Sequence, residues 1–269
     1  MIIPAYNEEG RVGIVVRKTL ATGTDYAAVV IDDASSDRTA KEATDAGARV
    51  IRHRVRTGVG GAIKTGYKLF KQEKGDVAVV VNADGQHDPF EIPAFLRALL
   101  DDDCDYVVGN RFSRRELNMP KFRRFGNMVL TFLTRLVVGF DVKDSQMGFT
   151  AITREGLSKI NLLYLTDGWG FPNDMLIECS IKRIKVKFIL ASWSYGGRRS
   201  YIKLPPYIIR LGLVLARGWI RKILFSILDF AANISAAQRG CNPKILEESG
   251  LILEGPTDHR VGSMRHLRP

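Results

Sequence analysis

Residues 77–86 read Val-Ala-Val-Val-Val-Asn-Ala-Asp-Gly-Gln, so a run of apolar residues is followed at once by polar and acidic ones. An apolar run without alternation is typical of a strand in a parallel sheet that helices cover on both faces. Ligands of such sheets bind beyond the carboxyl ends of the strands. The sequence therefore predicts that Asp84 and Gln86 stand at a ligand-binding edge.

Further strand and helix patterns alternate around this segment. Apolar runs occur at residues 2–3, 27–31, 49–51 and 106–108, and helical patterns lie between them at about 9–20, 37–46, 62–72 and 89–100. This alternation predicts an α/β, Rossmann-like fold with a mostly parallel sheet flanked by helices. In the less regular second half we expect helices at 120–140 and 171–181 and strands at 148–152 and 185–190.

Polar and acidic residues follow three of the predicted strands. The first strand leads into Pro-Ala-Tyr-Asn-Glu at 4–8, the second into Asp-Asp-Ala-Ser-Ser-Asp at 32–37, and the fourth into Asn-Ala-Asp-Gly-Gln-His-Asp at 82–88. Because the carboxyl ends of parallel strands share one edge, these three loops are expected to form a single site.

The fourth-strand loop has the oxygen ligands that a hard cation prefers. Mg²⁺ and Mn²⁺ take few carboxylates together with phosphate oxygens and water, so Asp84 and Gln86 with a diphosphate would suffice. The alternative is a solvated turn before a helix that starts at Pro89. The metal interpretation is favoured because the other two acidic loops lie at the same edge.

Two other segments keep a structural explanation beside the functional one. Asp33 can accept hydrogen bonds from a base or a ribose, or it can form the turn before a helix that Ser36 or Asp37 caps. The run Gly-Val-Gly-Gly at 58–61 lacks the Gly-Lys-Ser/Thr of a phosphate-binding loop. We expect a tight turn that packs a helix on the sheet there, with some backbone contact to a nucleotide left open.

The charge balance narrows the class of partner. The chain of 269 residues carries a net charge of +11, which favours phosphate-rich partners: nucleic acid, nucleotides or anionic lipid surfaces. Nucleic acid is disfavoured, because three acidic loops would repel its backbone and aromatic residues do not interleave with the basic clusters. Three cysteines without metal-ligand spacing suit a reducing compartment.

The ordered motifs resemble family 2 glycosyltransferases of the GT-A type. They are Pro-Ala-Tyr-Asn-Glu at 4–8, Asp-Asp-Ala-Ser-Ser-Asp at 32–37, Gly-Val-Gly-Gly-Ala at 58–62 and Asn-Ala-Asp-Gly-Gln-His-Asp-Pro at 82–89. Gly-Asn-Arg-Phe at 109–112 and Asp-Ser-Gln-Met-Gly-Phe at 144–149 are similar to the polyprenyl-phosphate branch, best known as dolichyl-phosphate mannose synthase. The resemblance covers about residues 1–204.

The resemblance implies a GT-A fold, a divalent metal, and transfer with inversion from a nucleotide sugar, GDP-mannose or UDP-hexose, to polyprenyl or dolichyl phosphate. Nucleotide contacts would come from Pro4, Tyr6, Glu8, Asp33 and Asp84, and metal ligands from Asp84 and Gln86. Catalytic roles would fall to Asp84, Arg111 near the transferred phosphate, and Arg198.

Three positions depart from the family pattern. Asn82 stands where the family often has an aspartate, so metal binding would rest on Asp84 and Gln86. Val59 replaces a frequent lysine in the glycine run. The late basic motif, which contains Arg198 and Lys203, is one residue shorter than that of the family.

The chemistry of the acceptor separates two reactions. A hydroxyl acceptor needs a positioned base, and Asp174 is the candidate; its alternative role is an acid at a helix N-terminus. A phosphate monoester, with a second pKa of about 6, is already ionised and needs cations instead. The candidate cations are Arg111, Arg114, Arg115, Arg123, Arg124, Arg198 and Arg199. Arg111 is favoured because it follows the fifth predicted strand at the active edge.

We expect a catalytic domain at 1–204, amphipathic membrane-associating helices at 205–235 and a weakly ordered basic tail at 236–269. The apolar segment 207–232 carries Arg210, Arg217, Arg221 and Lys222, which are too many charges for a membrane span. Such a segment can lie in the membrane interface, or it can form a core helix pair. The expected location is peripheral, on the anionic cytoplasmic face of the cell membrane.

Overall fold

The computed structural model describes residues 1–23, 25–101, 103–112, 121–194 and 204–238. The predicted phosphate-binding Arg198, Lys203 and the tail from residue 239 onward lie outside the described residues. The chain divides into two units, Met1–Lys222 and Ile223–Pro269.

The described part of the chain contains a mixed sheet whose strands are β1 (Ile2–Ala5), β2 (Val29–Asp32), β3 (Arg49–Arg52), β4 (Val77–Val80), β5 (Tyr106–Asn110), β6 (Thr150–Thr153) and β7 (Val186–Leu190). Their order across the sheet is β3-β2-β1-β4-β6-β5-β7. Strands β1 to β4 run parallel, and β5 is parallel to β7. Only β6, among these strands, pairs antiparallel with its neighbours β4 and β5.

The helices are α1 (Val12–Leu20), α2 (Thr39–Asp45), α3 (Val59–Gln72), α4 (Ile92–Asp101), α5 (Lys121–Val138), α6 (Arg154–Lys159), α7 (Phe171–Ile181) and α8 (Leu204–Gln238). Short 3-10 helices occupy Pro89–Glu91 and Leu162–Tyr164. The predicted α/β fold with a mostly parallel sheet is confirmed.

Strand β4 is covered on both faces, as its apolar sequence predicts. Residues 78–81 are at most 1% exposed, and they belong to a core that includes Phe95, Phe149 and Ile152. The buried apolar strand is therefore followed directly by the polar loop 82–88.

Two predicted helix starts were wrong by about three residues, and glycines explain both. Helix α1 begins at Val12 because Gly10 has a φ of 80°, which no helix accommodates. Helix α3 begins at Val59, directly after Gly58 with its φ of 103°, so the glycine run forms the first helical turn. Only Gly58 is part of the expected tight turn.

Helix α8 is one continuous helix of 35 residues where several interfacial helices were expected. In the first unit, Leu211, Val214 and Leu215 are buried, whereas Leu213 and Ile220 are 66% and 54% exposed. In the second unit, Leu228 and Phe230 are exposed. None of the helices in the described ranges combines the length and the apolar composition needed to cross a bilayer.

Candidate active site

The three acidic loops meet at the carboxyl end of β1. The Asp33 N–H donates to the Ala5 carbonyl at 2.9 Å, and the Ala83 N–H donates to the Pro4 carbonyl at 3.3 Å. The loops after β2 and β4 are therefore joined to opposite sides of β1, at two neighbouring residues. The structure brings the three predicted segments together at one edge.

The first two loops are also tied to each other by side chains. Asn7, which adopts a left-handed φ of 53°, donates its N–H to Ser35 Oγ at 2.9 Å and accepts the Ser36 N–H at 2.9 Å. The Glu8 N–H donates to Thr39 Oγ1 at 2.7 Å. These bonds fix the backbone beside Tyr6 before any ligand arrives.

Tyr6 and Glu8 have different environments. Tyr6 is 36% exposed, and the Arg56 guanidinium carbon lies 3.8 Å from the centre of its ring, a cation–π contact. Glu8 is 8% exposed, and its carboxylate pairs with Arg11 at 2.8 Å. Tyr6 thus presents an accessible ring, whereas the Glu8 carboxylate is held by the protein.

Asp33 organises the start of α3. Its Oδ1 accepts from the Thr57 N–H and hydroxyl, both at 2.8 Å, and faces His53 Nδ1 at 2.8 Å; its Oδ2 accepts from the Gly58 N–H at 2.7 Å. Burial raises the pKa of Asp33, but hydrogen bonds from Thr57, His53 and Gly58 outweigh it and hold the pKa below its usual value. The carboxylate is an ionised acceptor fixed at a helix N-terminus.

Gly58 and Gly60 make room for a protein segment instead of a phosphate. A Cβ on Gly58 would lie 2.5 Å from the Asp167 carbonyl oxygen, and a Cβ on Gly60 would collide with the Thr166 carbonyl. The Gly61 N–H donates to the Asp167 carbonyl at 3.1 Å. Residues 164–167, which we call the α3-capping segment, therefore occupy the N-terminus of α3. This is the place where the sequence allows backbone contact with a nucleotide.

Asp84 and Gln86 lie on one tight turn. Asp84 Oδ1 accepts the Gln86 N–H at 3.0 Å across Gly85, whose φ is 73°. Nearby, the buried Asn82 Oδ1 has no hydrogen-bond partner among the described residues. A carboxylate and two amide oxygens are donors suited to Mg²⁺ or Mn²⁺, and phosphate oxygens would complete the set.

This donor set is small. In the described residues, no group of three or more His, Cys, Asp and Glu side chains could hold a metal. Mg²⁺ is usually held by one or two carboxylates plus substrate phosphates, so the residues fit a cation that arrives with a nucleotide diphosphate. The missing aspartate at position 82 is consistent with such a site, since Asn82 also offers an oxygen.

Arg111 follows β5 and lies in a buried ion pair. Its Nε and Nη2 donate to the two Asp144 oxygens at 2.7 and 2.9 Å, and its guanidinium lies 5.4 Å from the Trp193 ring and 5.7 Å from the Phe112 ring. His87 stacks on Phe149 at 5.4 Å. Burial, and then the Arg111 charge, lower the pKa of His87 to about 3, so its ring stays neutral.

Asp174, the candidate base, is fully buried in the first turn of α7. Its Oδ2 accepts from the Thr166 N–H at 2.8 Å and from Arg217 Nη2 at 2.7 Å. Burial raises the pKa of Asp174 against the lowering effects of Thr166, Arg217 and Arg221. The higher pKa would suit a base, but the side chain has no exposed surface from which to reach a hydroxyl.

Sequence reasoning missed Asp144, His53 and Thr57. Asp144 belongs to a quoted motif without an assigned role, and it fixes Arg111. His53 and Thr57 follow β3 at the same sheet edge, a position that could have singled them out. A cavity of about 390 Å³ lies elsewhere, between the second half of α3 and residues 158–163, and four lysines line it.

Three known proteins resemble this chain over most of its length. A dolichyl-phosphate N-acetylglucosaminyltransferase of Methanococcus voltae that uses UDP-N-acetylglucosamine is 34% identical over 72% of this chain and 86% of its own. An undecaprenyl-phosphate mannosyltransferase of Micrococcus luteus is 29% identical over 65% and 74%. A glucosyl-3-phosphoglycerate synthase of Mycobacterium tuberculosis, solved with Mn²⁺, UDP-glucose and phosphoglyceric acid, superposes with a TM-score of 0.63 at 20% identity, covering 81% and 78%.

The solved structure is informative about the fold alone at this identity. The sequence profile described as "Glycosyl transferase family 2" matches residues 1–160, which contain all three acidic loops, the glycine run and Arg111. The fold and the sequence relatives agree. The chain is a glycosyltransferase, a member of glycosyl transferase family 2.

Proposed function

We propose that the enzyme moves a hexose, with mannose favoured, from GDP-mannose or a UDP-hexose to a polyprenyl or dolichyl phosphate, with inversion at the sugar carbon. Two relatives support the acceptor class, since one is named for dolichyl phosphate and the other for undecaprenyl phosphate. The preference for mannose rests on the resemblance to the mannose synthase branch and on the second relative.

The observation that carries the acceptor class is the environment of Asp174. A hydroxyl acceptor must lose a proton to a base within hydrogen-bond reach. Asp174 is 0% exposed, and its Oδ2 is engaged by Arg217 and the Thr166 N–H. A phosphate acceptor, which is largely ionised at neutral pH because its second pKa is about 6, requires no such base.

The proposed reaction forms a bond between an acceptor phosphate oxygen and the anomeric carbon. The bond from that carbon to the donor diphosphate breaks, and the nucleoside diphosphate departs with the electron pair. Asp84 and Gln86 would hold a divalent cation, which offsets negative charge on the departing diphosphate. No proton has to be removed from the acceptor.

The nucleotide is proposed to bind along the β1 edge. Tyr6 offers a partly exposed ring for a base, with Glu8 on the same loop and Pro4 in β1 just before it. Asp33 contributes by fixing Thr57 and Gly58 beside it. These roles follow the sequence resemblance and are compatible with the hydrogen bonds described above.

Arg111 is proposed as a cation near the transferred phosphate. Asp144 offsets much of its charge, so a second cation is needed, and Arg198 is the candidate. The bidentate pair fixes the orientation of the guanidinium, which is an advantage for binding a phosphate at a defined place.

Peripheral attachment to the cytoplasmic face of the membrane is proposed from exposed apolar side chains. Phe125, Met128, Phe132 and Leu136 of α5 recur at helical spacing and are 54% to 67% exposed. On α8, Leu213 and Ile220 are exposed beside Arg210 and Arg217. Apolar residues next to cations are typical of helices that lie on anionic membranes.

The test combines Mn²⁺, a panel of labelled nucleotide sugars and polyprenyl phosphate, followed by extraction into organic solvent. Label in the organic phase with one donor supports the proposal and identifies the sugar. The matched control is the polyprenol without phosphate. Transfer to the polyprenol but not to its phosphate would overturn the proposed acceptor and favour the alternative, a saccharide or lipid hydroxyl acceptor with Asp174 as base.

A further inference from the structure

We infer that Arg217 of α8 is a positioning residue: through Asp174 it holds the α3-capping segment in place and thereby sets the affinity of the nucleotide site. The inference rests on the proposed function, because it concerns the nucleotide of the donor. Among the described residues, the hydrogen bonds of Arg217 go to Tyr164 and Asp174.

Arg217 and the Thr166 N–H donate to the same oxygen of Asp174. Oδ2 of this buried carboxylate accepts from Arg217 Nη2 at 2.7 Å and from the Thr166 N–H at 2.8 Å. Arg217 Nη2 also donates to the Tyr164 carbonyl at 3.2 Å. One guanidinium therefore reaches two points of the α3-capping segment, directly at Tyr164 and through Asp174 at Thr166.

The α3-capping segment is bound to α3 by hydrogen bonds and an ion pair. Lys64 donates to the Leu165 carbonyl at 3.0 Å and pairs with Asp167 at 2.5 Å, and the Gly61 N–H donates to the Asp167 carbonyl at 3.1 Å. The segment fits over Gly58 and Gly60, where side chains would collide with it. It lies clamped between α8 and α3.

Gly58 connects the α3-capping segment to Asp33 at the proposed nucleotide site. The Asp167 carbonyl lies against Gly58, and the Gly58 N–H donates to Asp33 Oδ2 at 2.7 Å. Asp33 is joined in turn to Ala5 of β1. If the segment shifts, Gly58 and the Asp33 hydrogen bonds must adjust, because the packing at the glycines leaves no slack.

Arg221 does not duplicate this arrangement. Its Nη2 lies 2.9 Å from Glu178 Oε1, yet Nη2 and Nε lack well-aligned hydrogen-bond partners among the described residues. Arg221 donates to the Tyr164 carbonyl at 3.3 Å, and no bond to Asp174 accompanies it. The connection to Thr166 therefore depends on Arg217.

The test is a titration of the full-length protein with UDP and GDP in the presence of Mn²⁺. Arg217→Gln is expected to raise the Kd of the bound nucleotide about tenfold, which lies within the usual range of coupling between two sites. Arg217→Lys keeps one donor and should recover part of the loss. Arg210→Gln, an exposed arginine two turns earlier on α8, is the matched control and should leave the Kd unchanged.

A double-mutant cycle shows whether the effect passes through Asp174. Asp174→Asn combined with Arg217→Gln should weaken nucleotide binding no more than the stronger single variant, whereas additive effects would overturn the inference. Thermal unfolding of each variant separates repositioning from loss of fold. Equal nucleotide affinity of wild type and folded Arg217→Gln overturns the inference and leaves the proposed function standing; a wild type that binds neither nucleotide overturns both.

Discussion

Arg111 and Asp144 form a two-pronged ion pair, at 2.7 and 2.9 Å, in which the arginine is 7% exposed and the aspartate is not exposed at all. Asp144 Oδ1 also accepts the Gln146 N–H at 3.0 Å. The pair therefore connects the end of β5 to the loop that leads into β6. Arg111 is a structural residue of the site as well as its proposed phosphate-facing cation.

Removal of Arg111 is expected to destabilise the fold. In Arg111→Ala the Asp144 carboxylate stays buried without its partner, so the free energy of unfolding should fall by about 3–5 kcal/mol. Urea denaturation measures this change. Arg97→Ala, on the exposed part of α4, is the control and should change it by less than about 0.5 kcal/mol. Equal stability of the two variants would contradict the importance of the pair.

Asp33 should contribute to stability in a pH-dependent way. Its folded pKa lies below that of the unfolded chain, about 3.9, so its contribution is complete above that pH and is lost as pH falls through the folded pKa. Asp33→Asn places an amide N–H₂ or a weaker acceptor opposite Gly58 and Thr57, and should cost about 1–3 kcal/mol at neutral pH. The difference in unfolding free energy between wild type and Asp33→Asn should shrink towards pH 3; a constant difference would contradict the assignment.

Asp84 is expected to be required for metal-dependent nucleotide binding. Asp84→Ala should weaken the binding of UDP or GDP in Mn²⁺ at least about tenfold, because the carboxylate is the charged member of the proposed ligand set. Chelation of Mn²⁺ should weaken the wild type similarly and leave the variant unaffected. Asp88→Asn on the same loop, whose side chain caps Phe90, is the control. A metal effect of equal size in both proteins would exclude Asp84 as a ligand.

Two glycine-to-alanine changes are expected to have opposite effects on stability, because Gly60 packs against the α3-capping segment and Gly212 does not. Gly60→Ala places a methyl group against the Thr166 carbonyl, so the melting temperature should fall. Gly212→Ala on α8 meets nothing within 4 Å and should stabilise the helix by up to about 1 kcal/mol. Calorimetry of the two variants tests the packing, which is wrong if Gly60→Ala is neutral.

The exposed face of α5 predicts membrane binding. Phe132→Glu removes an apolar side chain whose burial would contribute about 1.5–3 kcal/mol, so binding to anionic vesicles should weaken about tenfold or more. Leu163→Glu changes a residue that is 84% exposed outside α5 and α8 and serves as control. Co-sedimentation with vesicles measures both. Loss of binding in the control alone would place the membrane contact elsewhere.

The sequence by itself determined that the chain forms an α/β fold with a mostly parallel sheet and that three acidic loops lie at one edge of that sheet. Uninterrupted apolar runs such as 77–81 can only be buried on both faces, and the polar residues that follow them must then gather at one edge. This pattern depends only on residues that are neighbours in the chain. It also identified Asp84 with Gln86 on a single turn, because their spacing along the chain fixes their proximity.

Only the tertiary structure decided what each side chain binds. The sequence predicts ligand-facing roles for Asp33, Arg111 and Asp174, with structural roles as alternatives for Asp33 and Asp174. In the structure each is engaged by a residue at least 20 positions away: His53, Asp144 and Arg217, respectively. Likewise, the glycine run makes room for residues about 100 positions later. Such pairings arise when separate elements pack together. They cannot be predicted from the residues that neighbour Asp33, Arg111 or Asp174 in the chain.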